Sequence, residues 1–398
     1  MRGGRAEPTQ ARPMARAGNC PMSFRPHPVS RGILLDRRRF LAGAGAAIFA
    51  GLGTHSAAAL ERTDALFGAS CRRPDGSYGC AIFSERGEIV STVSLPDRGH
   101  DVAYDPVRRR AVVFARRPRT FAIVFDPVSG ETLQTLTSIE GRHFFGHGFF
   151  SPDGALMYAT ENNYDAAHGV IGVYDVAAGY RRIGEFDSHG MDTHEALLMP
   201  DGETIVVANG GIETHPDYGR QKLNLATMEP SIAFIDRRSG DLLDRQLLPS
   251  HLHKLSLHHI AVDAQHRVWF GGQYQGASGD APPLVGFAEA GRPLVLTTMP
   301  ETDLAGLGNY IGSVATSRDG ARVAVSSPVG NTMLILEAAT GDILSRHALR
   351  DGCGLAPDGS GFMATSGAGD IVRLEDDDSP TRADLEWDNH ILALDAVG

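Results

Sequence analysis

The chain has 398 residues, of which 42% are hydrophobic and 21% charged, so it is too apolar for a disordered protein. Its formal net charge is -11, and residues 60–398 alone carry 28 basic against 46 acidic residues, which argues against nucleic acid as a partner. The 47 glycines and 22 prolines are more than most helical proteins contain and favour a turn-rich fold.

An export signal is the first motif along the chain. Residues 37–41 read Arg-Arg-Arg-Phe-Leu, which fits the twin-arginine pattern, and a mildly apolar run over residues 42–52 precedes an Ala-Ala-Ala cleavage site at 57–59. That run is too short to span a bilayer, and no later segment has roughly 20 apolar residues. We therefore expect residues 1–59 to be a leader cleaved near Ala59, and the mature protein to be periplasmic without a membrane span.

Three cysteines remain after cleavage. Cys71 and Cys80 flank a Pro-Asp-Gly turn at residues 74–76, so they could form a disulfide across a hairpin, and Cys353 would then be unpaired. The periplasm is oxidising, which would permit such a bond. The sequence leaves open whether it forms.

The body of the chain consists of short β-rich runs that alternate with two kinds of turn. One contains Pro-Asp-Gly or a similar triplet, as at residues 152–154, 200–202, 318–320 and 357–359. The other runs from an acidic residue to a glycine, as at residues 126–130, 175–179, 236–240 and 337–341. Asp accepts local backbone hydrogen bonds and Gly supplies a positive φ, so both predict hairpins. The first type recurs at roughly 40 to 60 residues, a spacing typical of β-propeller blades.

The number of hairpins predicts the number of blades. The second hairpin of each unit lies near residues 81–95, 123–136, 171–186, 232–248, 285–299, 333–349 and 370–386. Residues 60–398 are thus predicted to form one all-β, seven-bladed propeller domain, with six or eight blades as alternatives. The first unit lacks an inner strand and residues 390–394 form a strand left over, so we expect the C-terminal strand to join the first blade and close the ring.

Histidines concentrate where the innermost strands begin. Aligned on the turn that ends each strand, one position reads His100, Gly146, His194, His258, Gly312, Asp351 and His390 around the ring. The next position reads Asp101, His147, Glu195, His259, Ser313, Gly352 and Ile391. Innermost strands line the central channel, so these side chains should meet near one axis.

Several imidazoles with a carboxylate suit iron, copper or zinc. The candidate metal ligands are His100, His147, His194, Glu195, His258, His259 and His390. Two alternatives stay open: a structural role, since propellers often place a Gly-His pair before the innermost strand, and a metal-free substrate pocket.

The long loops that join strands two and three of a blade should lie on the same face as the histidine-rich strand starts, because strands one and three of an antiparallel blade start at the same end. Their candidate ligand-binding residues are Asn162, Asn163, Arg220, Lys222, Asn224, Gln273, Asn309 and Tyr310. Arg220 with Lys222 could bind a carboxylate or phosphate, or could pair with local acids.

Several motifs together resemble one protein family. They are the twin-arginine leader, Gly-His-Gly-Phe-Phe-Ser at 146–151, Thr-His-Glu at 193–195, the segment 222–231, Phe-Gly-Gly-Gln-Tyr-Gln-Gly at 270–276 and Asn-Tyr-Ile-Gly-Ser at 309–313. The chain resembles the bacterial domain-of-unknown-function 1513 family over essentially the whole mature chain. The resemblance implies an exported propeller of the YVTN or quinoprotein-amine-dehydrogenase-like type. It also implies an encoding gene beside imelysin-like iron-uptake proteins and a cytochrome-type oxidoreductase, and it transfers no catalytic residue.

Three functional hypotheses follow. The first is a metal-binding accessory protein in iron acquisition, with imelysin-like or cytochrome-type partners. The second is a periplasmic redox enzyme with a metal or quinone-type cofactor. The third is a metal-free scaffold that docks a partner protein. We expect a monomer in each case, and the sequence does not decide whether the protein is an enzyme.

Overall fold

The structure is a computed structural model that describes residues 63–376 and 379–394. The twin-arginine motif and the cleavage site near Ala59 lie outside the described residues. Within them the chain forms seven antiparallel sheets, each of four strand layers from the centre outward, arranged as the blades of a propeller. The all-β, seven-bladed prediction is confirmed.

Each blade is a meander of consecutive strands. The first three blades contain β1 (Leu66–Arg72), β2 (Tyr78–Ser84) and β3 (Ile89–Leu95); β4 (Gly99–Asp105), β5 (Arg110–Ala115), β6 (Phe121–Phe125) and β7 (Thr132–Thr137); and β8 (Arg142–Phe150), β9 (Leu156–Asn163), β10 (His168–Asp175) and β11 (Arg181–Asp187). The fourth and fifth contain β12 (Thr193–Leu198), β13 (Thr204–Asn209), β14 (Ser231–Asp236) and β15 (Leu242–Leu247); and β16 (Leu255–Val262), β17 (Val268–Tyr274), β18 (Val285–Ala288) and β19 (Val295–Leu296). The last two contain β20 (Ser313–Thr316), β21 (Arg322–Ser327), β22 (Thr332–Glu337) and β23 (Ile343–Ala348); and β24 (Gly352–Asp358), β25 (Gly361–Ser366), β26 (Asp370–Leu374) and β27 (Thr381–Arg382).

Two short strands at the C-terminus complete the first blade. β28 (Glu386–Trp387) and β29 (Leu392–Ala393) both pair with β1, in the registers Cys71↔Trp387 and Phe67↔Ala393. The Trp387 ring lies 5.0 Å from that of Phe83 and is almost fully buried. The expected ring closure is therefore correct, with one refinement: the closing segment is two short strands with His390 between them.

The predicted turns form for the predicted reason. In the Pro-Asp-Gly turn, Asp153 accepts hydrogen bonds from the Ser151 hydroxyl (2.6 Å) and the Ala155 amide (3.0 Å). In the other type, Asp236 accepts from the amides of Arg238 (2.9 Å) and Ser239 (2.8 Å). These local bonds fix where each strand ends, and so fix the register of the blade.

Apolar side chains pack between neighbouring blades. Ile171 of the third blade, for example, shares a buried cluster with Val207 and Ile235 of the fourth. The outermost strands are half exposed and alternate, as in β11, whereas the second and third strands are buried on both faces. This packing holds the innermost strands in fixed relative positions around the channel.

The possible disulfide does not form. β1 and β2 make the expected hairpin, but Cys71 pairs with Gly79 and Cys80 with Ser70, so the two cysteines differ by one residue in register. Successive strand residues point to opposite faces, and Cys71 and Cys80 accordingly pack in different clusters on the two sides of the blade. Both are free buried thiols, as is Cys353.

Helix is scarce. The described residues contain one short α-helix, α1 (Glu301–Gly306), and 3-10 turns at Pro216–Tyr218 and Ser250–Leu252. Among the residues described, no helix is long and apolar enough to cross a membrane.

Candidate metal centre

Six histidines meet at the channel mouth, which we define as the end of the central channel where the innermost strands begin. They come from four innermost strands and from the closing segment, and all are buried: His100, His147, His194, His258, His259 and His390. The clustering expected from the strand register is therefore present.

Irregular backbone directs these side chains inward. The pairing of the innermost strand with its neighbour shifts register at Gly99/Val102, at Phe144/Gly148, at Thr193/Glu195 and at Leu257/His259. Such bulges kink a strand and re-aim its side chains. One result is that His258 and His259, neighbours in sequence, both reach the histidine cluster.

The rings lie at contact distance. The ring centroids of His147 are 4.7 Å from His390, 4.9 Å from His100, 5.4 Å from His194 and 5.8 Å from His259. Imidazoles that bind one ion through nitrogens at about 2.0–2.1 Å have centroids separated by roughly 5 Å. His194 and His258 differ, because they stack face to face at 3.9 Å.

Three of the rings each lie within hydrogen-bond distance of a carboxylate from the preceding blade. Asp101 Oδ2 lies 2.9 Å from His147 Nδ1, Glu195 Oε2 lies 3.2 Å from His259 Nδ1, and Asp388 Oδ1 lies 3.2 Å from His100 Nδ1. At His147 and His259 an ionised carboxylate accepts a hydrogen bond from Nδ1–H, which leaves Nε2 with a free lone pair. Histidines that bind metals are oriented by carboxylates in this way. His100 differs, because its Nδ1 also lies 3.1 Å from Arg116 Nη1, which can only donate.

The inward nitrogens have no protein partner. His147 Nε2, His259 Nε2, His390 Nε2 and both ring nitrogens of His194 are buried without a hydrogen bond. Native proteins rarely leave buried polar atoms unsatisfied, because each costs about 1–3 kcal/mol. Several such atoms in one place require an explanation that the chain itself does not supply.

Among the residues that the structure describes, two triads of ligand atoms lie close enough to hold an ion. Within each, all atoms are within 4.8 Å of one another: His100, His147 and His390 form one, and His147, His194 and His259 form the other. In the first, Arg116 Nη1 lies 3.1 Å from His100 Nδ1, so a guanidinium stands beside the triad. The second has no such cation in hydrogen-bond contact and contains more unpartnered nitrogens, which favours it for a cation.

Most of the cluster is held neutral. Burial lowers the pKa of five imidazoles well below the ordinary value: His100, His194, His258, His259 and His390. His147 is the exception, because Glu195 and Asp101 together outweigh its burial and raise its pKa. Burial also raises the pKa of Glu195 to about 6. Neutral imidazoles are the form that binds metals.

Gly146 allows the rings to approach. Its φ is +119°, and a Cβ at this position would lie 2.4 Å from Cδ2 of His100. The Gly-His pair at 146–147 therefore serves close ring packing across two blades. From the sequence alone, a purely structural role for this pair stays an open alternative.

A cavity of about 40 Å³ adjoins the cluster. Arg116 and Arg117, from the β5–β6 loop, line it together with His194, Gln273 and Tyr310. Beside it, Asp388 binds Arg98 (2.5 Å) and Arg116 (3.5 Å), and the fully buried Asp192 binds Arg117 (3.3 Å).

Sequence reasoning singled out none of these arginines, nor Asp192 or Asp388, as site residues. They lie in loops or just outside strands, with no motif around them. Asp101 did carry a signal, since acid and histidine alternate at its register position: Asp101, His147, Glu195 and His259.

The predicted ligand-binding residues divide into two groups. Gln273 and Tyr310 line the cavity, Arg220 lines a smaller cleft with Arg117, and Lys222 donates a hydrogen bond to Gln275. The others support loops through bonds to backbone groups: Asn162, Asn163, Asn224 and Asn309. Asn162 also donates a hydrogen bond to His143 Nε2 (3.1 Å), away from the six-histidine cluster.

Fold and site together define a seven-bladed β-propeller with a histidine-lined channel mouth. The chain belongs to the protein family of unknown function DUF1513, whose model matches residues 93–394. The comparison with curated proteins gave no match.

Solved structures share the fold. Hydrazine synthase from Kuenenia stuttgartiensis is 14% identical, with a TM-score of 0.57 over 76% of this chain and 94% of that chain. The Cps50 (Swd1) β-propeller domain of Myceliophteria thermophila is 10% identical, with a TM-score of 0.51 over 75% and 93%. At these identities the likeness concerns the fold alone.

Proposed function

We propose that this protein is an exported, periplasmic β-propeller that binds one transition-metal ion at the channel mouth and acts as an accessory protein in iron acquisition. The ligands are His147, His194 and His259, with His390 next to them.

One observation carries the proposal: each of these four histidines has a buried ring nitrogen with no hydrogen-bond partner. Leaving each unsatisfied costs about 1–3 kcal/mol, so a propeller without a ligand here would be markedly less stable than its packing allows. Water could satisfy single nitrogens. However, three aromatic nitrogens within 4.8 Å of one another, two of them on rings whose Nδ1 meets a carboxylate, match the ligand set of a metal.

The donor chemistry narrows the choice of ion. Neutral imidazole suits iron, copper and zinc, whereas calcium and magnesium prefer oxygen ligands. Three histidines leave at least one coordination position for an exogenous ligand, as in sites where the metal exchanges or reacts. Asp101 and Glu195 would offset the charge of the ion from the second layer.

The role in iron acquisition and the periplasmic location rest on other grounds. The twin-arginine motif supports export, and family resemblance supports an association with iron-uptake and cytochrome-type proteins. An open coordination position beside a cavity also favours the redox alternative, in which a bound metal exchanges electrons with a partner. Turnover with an electron acceptor, lost on metal removal, would identify that activity.

The test is to measure metal content by inductively coupled plasma mass spectrometry. The sample is the mature protein, residues 60–398, obtained by expressing the full chain so that it is exported through its native pathway. We expect about one iron, copper or zinc ion per chain, and its loss in a His147→Ala/His259→Ala variant. His143→Ala is the matched control: His143 is also buried on β8, but its Nδ1 contacts Phe144 O (2.9 Å) and its Nε2 accepts from Asn162. Circular dichroism should show that all variants fold. Folded wild-type protein that neither contains nor takes up metal would refute the proposal and favour the scaffold hypothesis.

A further inference from the structure

We propose that the cavity beside the histidines binds a planar oxyanion, carbonate or a small carboxylate, between Arg116, Arg117 and the metal. This inference rests on the proposed metal site and names the exogenous ligand that would complete it.

Positive charge exceeds negative charge around this cavity. Asp388 is shared by two arginines, Arg98 and Arg116, and its Oδ1 also lies 3.2 Å from His100 Nδ1. Asp192 forms an ion pair with Arg117 (3.3 Å). The ammonium of Lys222 is close enough to interact electrostatically with both side chains. Four cationic side chains therefore meet two carboxylates here; Arg116 and Arg117 line the cavity, whereas Asp101 and Glu195 bond imidazoles of the cluster and do not line it.

These cations are also partly withdrawn from water. The side chains of Arg116 and Arg117 are 19% and 23% exposed, so solvent screens their charges incompletely. Burying a guanidinium whose charge is incompletely matched is costly. An ion at the neighbouring histidines would add to this excess only where its charge exceeds that of Asp101 and Glu195, as a trivalent ion's does, and an anion in the cavity would offset the positive charge of the arginines in either case.

The hydrogen-bond donors and the size of the cavity favour a small planar oxyanion. A guanidinium presents parallel N–H donors that match the two oxygens of a carboxylate or carbonate. A cavity of about 40 Å³ has room for only a few non-hydrogen atoms. Its walls also include His194 and His259 of the metal triad, so an anion held by the arginines would lie beside the open coordination position.

The experiment measures metal and anion binding separately. Zinc affinity is measured by chelator competition in carbonate-free buffer, then with bicarbonate or formate added, for wild type, Arg117→Gln and Arg119→Gln. Arg119 lies in the same loop but binds the partly exposed Asp97 (2.5 Å), so it is the matched control. We expect either anion to tighten zinc binding about tenfold in wild type and in Arg119→Gln, and to have no effect in Arg117→Gln. A larger response to bicarbonate than to formate would identify carbonate as the ligand; the reverse would favour a carboxylate.

Failure of this inference is distinguishable from failure of the proposed function. Zinc that binds with the same affinity in all buffers, or an anion effect that persists in Arg117→Gln, would overturn the anion site and leave the metal site intact. If wild type binds no metal, the same anions are titrated calorimetrically into the metal-free protein. Binding that depends on Arg117 and not on Arg119 would then sustain the anion site alone, and no binding would overturn it.

Discussion

Replacing Asp101 with asparagine should weaken metal binding without removing a ligand. The Asp101 carboxylate lies 2.9 Å from His147 Nδ1, and its acceptor capacity fixes the tautomer in which Nε2 is free. Asparagine can present an N–H instead, which would stabilise the wrong tautomer and remove a negative charge near the ion. Loss of such a carboxylate typically weakens metal affinity about 10–100-fold, equivalent to about 1.4–2.7 kcal/mol.

A second variant, Glu195→Gln, should weaken metal binding less than Asp101→Asn. Glu195 lies 3.2 Å from His259 Nδ1, a longer contact than that of Asp101, so Glu195→Gln should fall nearer the tenfold end of the range. Asp187→Asn is the control, because Asp187 makes a similarly short contact with His168 Nε2 (2.7 Å), but between solvent-exposed side chains on β10 and β11, the outer strands of the third blade. The assay is chelator competition with zinc at constant pH. Equal affinities for Asp101→Asn and Asp187→Asn would refute the account of His147 as a carboxylate-oriented ligand.

Three further predictions test the neutrality of the cluster, the close approach at Gly146 and the ring closure. Burial lowers the pKa of His194, His258 and other imidazoles below the unfolded value, so the unfolded state binds more protons; the melting temperature of metal-free protein should fall as pH drops below about 6.5. The raised pKa values of His147 and Glu195 act in the opposite sense, but they are two groups of the cluster against five, and a melting temperature that rises on acidification would contradict the reasoning. Gly146→Ala should destabilise the fold by about 1–3 kcal/mol in urea unfolding, because its Cβ would meet His100, whereas Gly184→Ala, with open space around it, should change stability little. Trp387→Ala should cost about 3–5 kcal/mol by the same assay and the half-exposed Ile183→Ala under about 0.5 kcal/mol; equal losses would mean that β28 does not secure the ring.

The blade count and ring closure could be predicted because their causes are local. Asp153 and Asp236 organise their turns through bonds to residues within three positions, so the sequence displays the hairpins directly. Cys71 and Cys80 show the limit of this reasoning. The hairpin between them was predicted correctly, but a one-residue difference in register separates the two thiols.

The histidine cluster could be predicted from register, but its organisation could not. Aligning strand starts brought His100, His147 and His194 to one end of the channel. Which ring nitrogens pair with carboxylates depends on bulges and on contacts between blades, and neither leaves a pattern in a single strand. Asp388 and Arg116 were missed because each lies in a short connection and acts through long-range contacts alone.

The most direct test of the central claim is anomalous diffraction at the absorption edge of the metal, from crystals of the metal-loaded mature protein. The account predicts one strong peak at the channel mouth, about 2.0–2.2 Å from the free ring nitrogens of His147, His194 and His259. A peak within the triad of His100, His147 and His390 would place the ion in the neighbouring site. No peak at the channel mouth, with the six rings ordered as described, would contradict the claim that these histidines hold a metal.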